Sequence, residues 1–413
     1  MVQSVLGSLT LGYRPLWSRA RRLMGVQLFV HAREEGVTLN LPHLLRTLRE
    51  IWSENSPPVL LSPQQPSLLQ EFLRHPNPGS PLIEVQGRWL LNPDILEQVR
   101  AAHARGQRLV WRGDLSVLPP ADIARYFTSS LLSLSPEIAL AALRAGPDSS
   151  PILAGQMYEG IASRLVMQHC LDQRNALALV GWPTEDVLYS LRHEHPKPAH
   201  ATIAKLMQAI DAEQSLETFE DILSQDPVLA YRFMNYTNSA ALGLRTGIDS
   251  LRRGLVMMGY GSIQRWLGSQ LPHASTDSDL QPVYQSMVMR AQLTSRLLDA
   301  GVENELRREV YLCGLFSQLD LVLREPMSNI LNRIPLSERI YDAIVQGTGP
   351  YAPSLQLAAL LETDNAAAIQ QLCEENELHP EEVNRALLRT LSELGRVIEV
   401  NEAISWHQPS EGC

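Results

Sequence analysis

The stretch FEDILSQDPVLAYRFMNYTNSAALGL, residues 219–244, decides how the second half of the chain is read. Asp226 followed by Pro227 is a helix start. The carboxylate accepts from unpaired N–H groups and sits at the positive end of the helix dipole. Proline at the first helical position gives up no N–H that the helix needs. Leu229, Phe233 and Met234 follow at helical spacing. Asn238 and Ser239 close the helix with side chains able to bond nearby backbone. On the residues alone these are caps. The sharper alternative makes Arg232, Asn235 and Asn238 contacts to a ligand or partner.

The same period extends in both directions. Ile203, Leu206, Met207 and Ile210 form a stripe before the motif, and Ser215 can cap the helix that carries Phe219, Ile222 and Leu223. Downstream, helical spacing predicts segments at 251–258, 262–271, 283–300, 305–323, 336–346, 353–362, 365–376 and 380–398. Almost nothing here alternates with period two. Residues 201–400 therefore read as an all-α domain, and 401–413 as a frayed tail.

Upstream, residues 191–200 carry two prolines among charged side chains and read as a linker, with a protease-sensitive boundary expected between about 186 and 202. His193, His195 and His200 could ligate a metal, but a proline-rich segment gives them no fixed geometry. Residues 1–190 have a different rhythm. Strand-like runs at 25–30, 59–61, 82–85, 109–111, 122–127 and 176–180 alternate with helical stretches at 41–52, 66–73 and 92–103. Asn92-Pro93 is a second N-cap signal. Such alternation implies βα units with parallel pairing, as a βα barrel or a doubly wound sheet.

Composition bounds the function. Of 413 residues, 45% are apolar and 19% charged, enough for sizeable cores. No run is long and apolar enough to span a bilayer. The four cysteines (Cys170, Cys313, Cys373, Cys413) are scattered without a C-x-x-C, against a disulfide scaffold or a zinc knuckle. A net charge of −10 argues against DNA binding. Residues 1–200 hold 19 basic and 17 acidic side chains, and residues 201–413 hold 16 and 28, so the balance shifts at the expected boundary. The basic residues are 33 Arg and 2 Lys, a bias that codon usage explains and that bidentate phosphate recognition would need a cluster of Arg to explain. Arg14, Arg19, Arg21 and Arg22 cluster near the start, but Tyr13 to Trp17 looks like a strand and loop rather than a transit peptide. The expectation is a soluble, cytoplasmic, multidomain protein.

The motif at 219–244 resembles the core of the HDOD domain, a metal-free relative of HD phosphohydrolases. The second part of that pattern is met by Ile248 to Leu251 and Met258-Gly259, with Gly254 at the family's usual Ala. The match continues at Gly314-Leu-Phe-Ser-Gln-Leu-Asp320, which resembles the phosphohydrolase segment "G-L-L-H-D-I-G". The His-Asp pair falls on Ser317-Gln318, which cannot replace an imidazole and a carboxylate as metal ligands. Asp320 alone makes a poor site. The resemblance thus implies no hydrolase chemistry here, and a cleft left for a protein partner around Ser317, Gln318 and Asp320.

The first half resembles an EAL domain, the βα-barrel cyclic di-GMP phosphodiesterase, and EAL–HDOD is a known arrangement. Tyr13-Arg-Pro-Leu-Trp17 looks like the opening "Y-Q-P-I-V". Gln27 falls at the Glu of "G-x-E-A-L", and Leu60 at the Asn of "N-L-S-P". "L-E-I-T-E" keeps its first acid as Glu84 and loses its second at Gly87. The Asp pair of "A-L-D-D-F-G" reads Arg112-Gly113, and "A-D-x-I-K-I-D" reads 121–127, ending on Phe127. Asp114 and Glu159 each lie one position from a family acid. Two-metal phosphodiester hydrolysis needs several hard oxygen ligands, and this set cannot supply them. The resemblance implies a non-catalytic bacterial regulatory protein without metal or cofactor, acting through protein contacts and linked to cyclic di-GMP signalling. Two alternatives remain. One is a cyclic dinucleotide receptor that needs no metal, using Arg side chains and Trp111 or Trp182; the other is a phosphodiesterase with a rearranged metal site.

Overall fold

A computed structural model describes residues 5–34, 40–75, 81–145, 149–239, 247–298 and 304–394. The end of the motif at 240–244 and the expected tail lie outside the described residues. Eight strands close into a barrel in sequence order. They are β1 (Leu9–Trp17), β2 (Leu23–Ala32), β3 (Val59–Pro63), β4 (Leu82–Gln86), β5 (Leu109–Asp114), β6 (Ser129–Ser133), β7 (Met157–Glu159) and β8 (Ala178–Val180). Strands β2 to β8 pair in parallel, and β1 is antiparallel to both β2 and β8. The hairpin at Ser18–Arg22 is the cause. It is far too short for the crossover that a parallel pair needs, so β2 must run back along β1.

Period two then sorts the barrel interior. Leu60, Leu82, Val110, Leu131, Met157 and Ala178 fill one apolar cluster inside it. Two residues further along the same strands stand Ser62, Glu84, Arg112, Ser133, Glu159 and Val180, at the carboxyl ends where the barrel opens. Helices follow the strands at Leu41–Ile51, Pro66–Arg74 and Pro93–Ala104, close to the expected spans. Asn92 caps the last of these by accepting from the Asp94 N–H.

One expected strand is misplaced. Residues 122–127 do not form a strand: Ala121–Ala124 is a helical turn entered through Pro120, and the sixth strand is Ser129–Ser133. The match of the strand pattern to 121–127 therefore fails in register. Arg125 lies exposed against the Tyr126 ring, and Ser133 takes the place at the barrel end. Strand β7, only three residues long, gave no periodic signal.

From His200 onward the described residues are helical, as expected. The helix Pro227–Thr237 starts at Asp226, whose carboxylate accepts from the N–H groups of Leu229 at 2.9 Å and Ala199 at 2.6 Å. Asn238 closes the helix and ties it forward, donating to the carbonyls of Met234 and Ile248 and accepting from the Ile248 N–H at 2.7 Å. The helices expected at 251–258 and 262–271 are separated by Gly259, whose φ of 67° and ψ of 163° suit glycine alone. The helix expected at 305–323 is two, Asn304–Phe316 and Leu319–Leu323, broken at Ser317-Gln318.

The two halves share apolar packing. Helices Ala352–Leu361, Ala366–Glu375 and Pro380–Glu393 lie against β1, and Leu9 and Leu11 cluster with Leu357, Leu361, Leu387 and Leu391. Inside this contact the buried Asn384 amide donates to the carbonyls of Leu6 and Leu9, at 2.8 and 2.9 Å, and accepts from the Leu11 N–H at 3.2 Å. A second joint centres on Asp279, which accepts from Arg21 and Arg164, both at 2.8 Å, and from Gln168. Arg21 also grips Asp172 through both terminal nitrogens. The 191–200 segment is held by the helices: Arg232 donates to the Pro196 carbonyl at 2.7 Å and Tyr284 to that of Lys197 at 2.8 Å.

Two predictions follow from these contacts. Asn384→Ala should destabilise the chain by about 2–4 kcal/mol, because buried backbone groups of β1 lose their partners. Urea denaturation followed by circular dichroism measures this, and a change below about 0.5 kcal/mol would contradict it. The second concerns Asp226, whose pKa burial pushes up to about 6 against the pull of the Leu229 and Ala199 N–H groups and Arg232. A folded-state value above the unfolded one, near ~4, means the folded protein holds the proton more tightly. That contribution is complete below the unfolded value and is lost as pH rises through about 6. Between pH ~5 and ~7 it is worth about 1 kcal/mol, and Asp226→Asn should flatten the stability slope by that amount. An unchanged slope in the variant contradicts the assignment.

Candidate functional site at the mouth of the barrel

At the open end of the barrel the side chain of Glu84 is fully buried and surrounded by donors. Ser62 Oγ donates to its Oε1 at 2.8 Å, Gln27 Nε2 to its Oε2 at 2.6 Å, and Arg112 Nη1 to its Oε1 at 2.9 Å. Burial raises the carboxyl pKa, and Arg112 together with these hydrogen bonds opposes the rise. Arg112 reaches further. Its Nε and Nη2 form a fork with Glu159 at 2.7 and 2.8 Å. The guanidinium, on β5, thus joins Glu84 on β4 to Glu159 on β7. These two acids hold it charged well above its ordinary value although burial works against them.

A cleft of about 810 Å³ opens over this network. Trp111, Arg112, Asp114, Glu159 and Asp364 line it, and its lips carry Leu91 and Val117, 87% and 69% exposed. Gly87 and Gly113 lie under the Trp111 indole. A Cβ at Gly87 would come within 2.7 Å of Trp111 Nε1, and one at Gly113 within 2.6 Å of its Cζ2. Two positions matched to family acids are therefore glycines whose space the indole takes. Leu60 contributes only apolar atoms, inside the barrel cluster. Gly12 admits the backbone of Leu361 and Thr363 against β1, bringing Asp364 to the rim, 3.6 Å from Arg14.

The oxygen donors present do not fit a pair of divalent ions. Glu84 and Glu159 are both engaged by Arg112, and Asp114 is turned to the N–H and hydroxyl of Ser116. Gln27 brings no charge. Among the described residues no group of three or more His, Cys, Asp or Glu is placed to hold a metal ion.

The positions singled out in the helical half do not converge on one site. Arg232 braces the 191–200 segment and Gln270, while Asp226, Pro227, Asn238 and Ser239 serve the helix ends. Gly314 allows close helix contact, since a Cβ there would meet Ala291 Cα at 2.6 Å. Ser317 donates to the Gly314 carbonyl at 2.7 Å. Gln318 lines a cavity of about 360 Å³ between the helices and the barrel, with Trp17, Trp182 and Met287. Asn235 and Asp320 are half-buried on their own helices. Ser62 and the pairing of Arg112 with Glu159 were not legible in sequence. Only the even spacing of residues 110, 112 and 114 along a strand, set against Met157 and Glu159, carried a hint.

The HDOD domain model matches residues 197–334. A cyclic di-GMP phosphodiesterase of Vibrio cholerae, CdgJ, is 21% identical over 199 residues, 48% of this chain and 46% of that one. The uncharacterized protein YuxH of Bacillus subtilis is 24% identical over 195 residues, 45% of this chain and 46% of that one. The matched stretches thus span about half the length of these relatives. Among solved structures, the MmoQ response regulator of Methylococcus capsulatus has a TM-score of 0.39 at 17% identity, over 47% of this chain and 98% of that one. The EAL domain of Xanthomonas citri FimX, in complex with c-diGMP, has a TM-score of 0.30 at 13% identity, over 43% and 88%. The chain is a closed eight-stranded βα barrel, its first strand antiparallel to both neighbours, followed by an all-α region in which residues 197–334 match the HDOD domain model.

Proposed function

We propose that this chain is a non-catalytic signal-transduction protein that acts through protein–protein contact in a pathway linked to cyclic di-GMP. One observation carries the reading: the two carboxylates deepest in the barrel mouth, Glu84 and Glu159, are both taken up by the Arg112 guanidinium. A two-metal hydrolase needs those oxygens for its cations and for an activated water. The link to cyclic di-GMP comes from the phosphodiesterase among the distant relatives. Among the described residues no helix is long and apolar enough to cross a membrane.

The cleft over the network favours a second reading, a cyclic dinucleotide receptor that needs no metal, because its volume and the Trp111 face suit a nucleobase. The charges weigh against it. Asp114, Glu159 and Asp364 line the cleft against Arg88 and Arg112, and Arg112 is already committed. Two phosphates would meet more acid than free cation. The protein-contact reading stands first for that reason.

Calorimetric titration with cyclic di-GMP, with and without Mn²⁺, separates these readings. The expected result is no turnover and no heat of binding in either buffer. Binding without Mn²⁺ supports the receptor instead. Turnover in Mn²⁺ that Glu84→Ala abolishes overturns the non-catalytic reading.

A further inference from the structure

We infer that the cavity between β1 and the helical half is a binding site for a small aromatic amine, a ligand that the two halves read together. The site adds an input to the proposed function and is separate from the network at the barrel mouth. Tyr13 and Trp17, which line it, sit out of phase along β1 with Leu16, whose side chain belongs to the barrel interior, so they face outward toward the helices.

Three features carry it. The first is shape. The cavity holds about 360 Å³, within the range of small-molecule sites, which form preferentially where two domains meet. Its walls come from both halves: Tyr13, Trp17 and Trp182 on the barrel side, Ser286 and Met287 on the helix Gln281–Leu297, and Gln318 at the start of Leu319–Leu323. The Trp17 and Trp182 rings meet edge to face, with centroids 6.2 Å apart and planes at 69°. They form a corner in which a flat ring can lie on one indole and meet the other. The buried Met287 adds a thioether, which makes favourable contacts with aromatic rings.

The second is a set of unspent polar groups. Tyr13 is 2% exposed, and its hydroxyl forms no hydrogen bond with another described residue. The side chains of Ser286 and Gln318 likewise bond no other described residue. Buried polar groups are almost always paired, so a phenolic hydroxyl closed in beside a cavity points to a polar ligand atom. Two hydroxyls and a carboxamide can accept from a ring N–H as well as donate.

The third is charge. Glu185 lies at the rim, exposed and with no ion-pair partner among the described residues. Glu362 is already forked by Arg290. Arg14, the one cation among the described residues that line the cavity, lies 3.6 Å from Asp364. A cation therefore meets an unpaired acid at the entrance and an indole face inside, while an anion meets no free positive partner. Because the walls belong to both halves, the ligand binds only while barrel and helices are joined, and its binding strengthens that joint.

Calorimetric titration of the full chain with tryptamine, indole and indole-3-acetate tests this, since the three share a ring and differ in charge at neutral pH. The wild type should bind tryptamine most tightly, then indole, then indole-3-acetate, and its melting temperature should rise with tryptamine concentration. Glu185→Gln, at the exposed rim, should lower the preference for tryptamine over indole about two- to fivefold and leave the affinity for indole unchanged. Ser286→Phe, which fills the cavity from the helix side, should weaken tryptamine binding about tenfold. The inference fails if tryptamine gives no heat at millimolar concentration, if it binds no more tightly than indole or indole-3-acetate, or if folded Ser286→Phe binds it as the wild type does. Should Ser286→Phe not fold, Glu185→Gln decides, and an unchanged preference there overturns the assignment.

Discussion

A carboxylate closed inside a protein must be given a counter-charge, and at the mouth of this barrel that requirement governs the rest. Removing one partner from a buried ion pair costs about 3–5 kcal/mol, a large share of the stability of an ordinary domain. Glu84 is such a carboxylate, and its neighbours are all donors: Gln27, Ser62 and Arg112. Arg112 in turn requires Glu159, because one buried acid does not complete the five N–H groups of a guanidinium. The network forms a chain of obligations that joins five strands, β2, β3, β4, β5 and β7. Gly87 and Gly113 belong to the same arrangement, since glycine there leaves the indole of Trp111 its place.

The parts of this fold that were legible in the sequence are those set by local chemistry. Asp226-Pro227 and Asn92-Pro93 read as helix starts because a cap acts within three residues of itself, and both side chains cap as read. Strand β2, ten residues long, was plain for the same reason. Strand β7 was not, because three residues carry no period. The sixth strand was misplaced because Ile123 and Phe127 look apolar in isolation, while Pro119-Pro120 forces a turn that delays it to Ser129. The break at Ser317-Gln318 escaped notice because the apolar spacing runs through it. At the site, Arg112 was legible only as the residue standing where the resembled pattern has an acid. Its real partners became visible only when β4 and β7 were brought to either side of it.

The joint between the halves is also specific. Asp279 enters the barrel side with its carboxylate shared by two arginines and Gln168, and its carbonyl accepts from Trp182 Nε1 at 3.0 Å. Arg290 and Glu362 pair within the helical half, beside the face that meets β1. Polar groups buried this way fix relative position more than they add stability, because a shift of one residue would leave several of them unpaired. The cavity that Gln318 lines lies inside this joint, so the break between the two helices at Ser317-Gln318 faces the barrel.

The packing of Pro380–Glu393 on β1 has a consequence for how the protein is made. The Asn384 side chain bonds the Leu9 carbonyl across 375 positions of sequence. On a ribosome adding 5–20 residues per second, β1 therefore waits roughly 20–75 s for the helix that covers it. Through that interval the hairpin with β2 can form, but β8 closes on only Leu16 and Trp17, and the apolar side chains of Leu9 and Leu11 stay uncovered. Until the last helices emerge the nascent barrel therefore exposes an apolar first strand, and translation that stops late in the message leaves that strand uncovered.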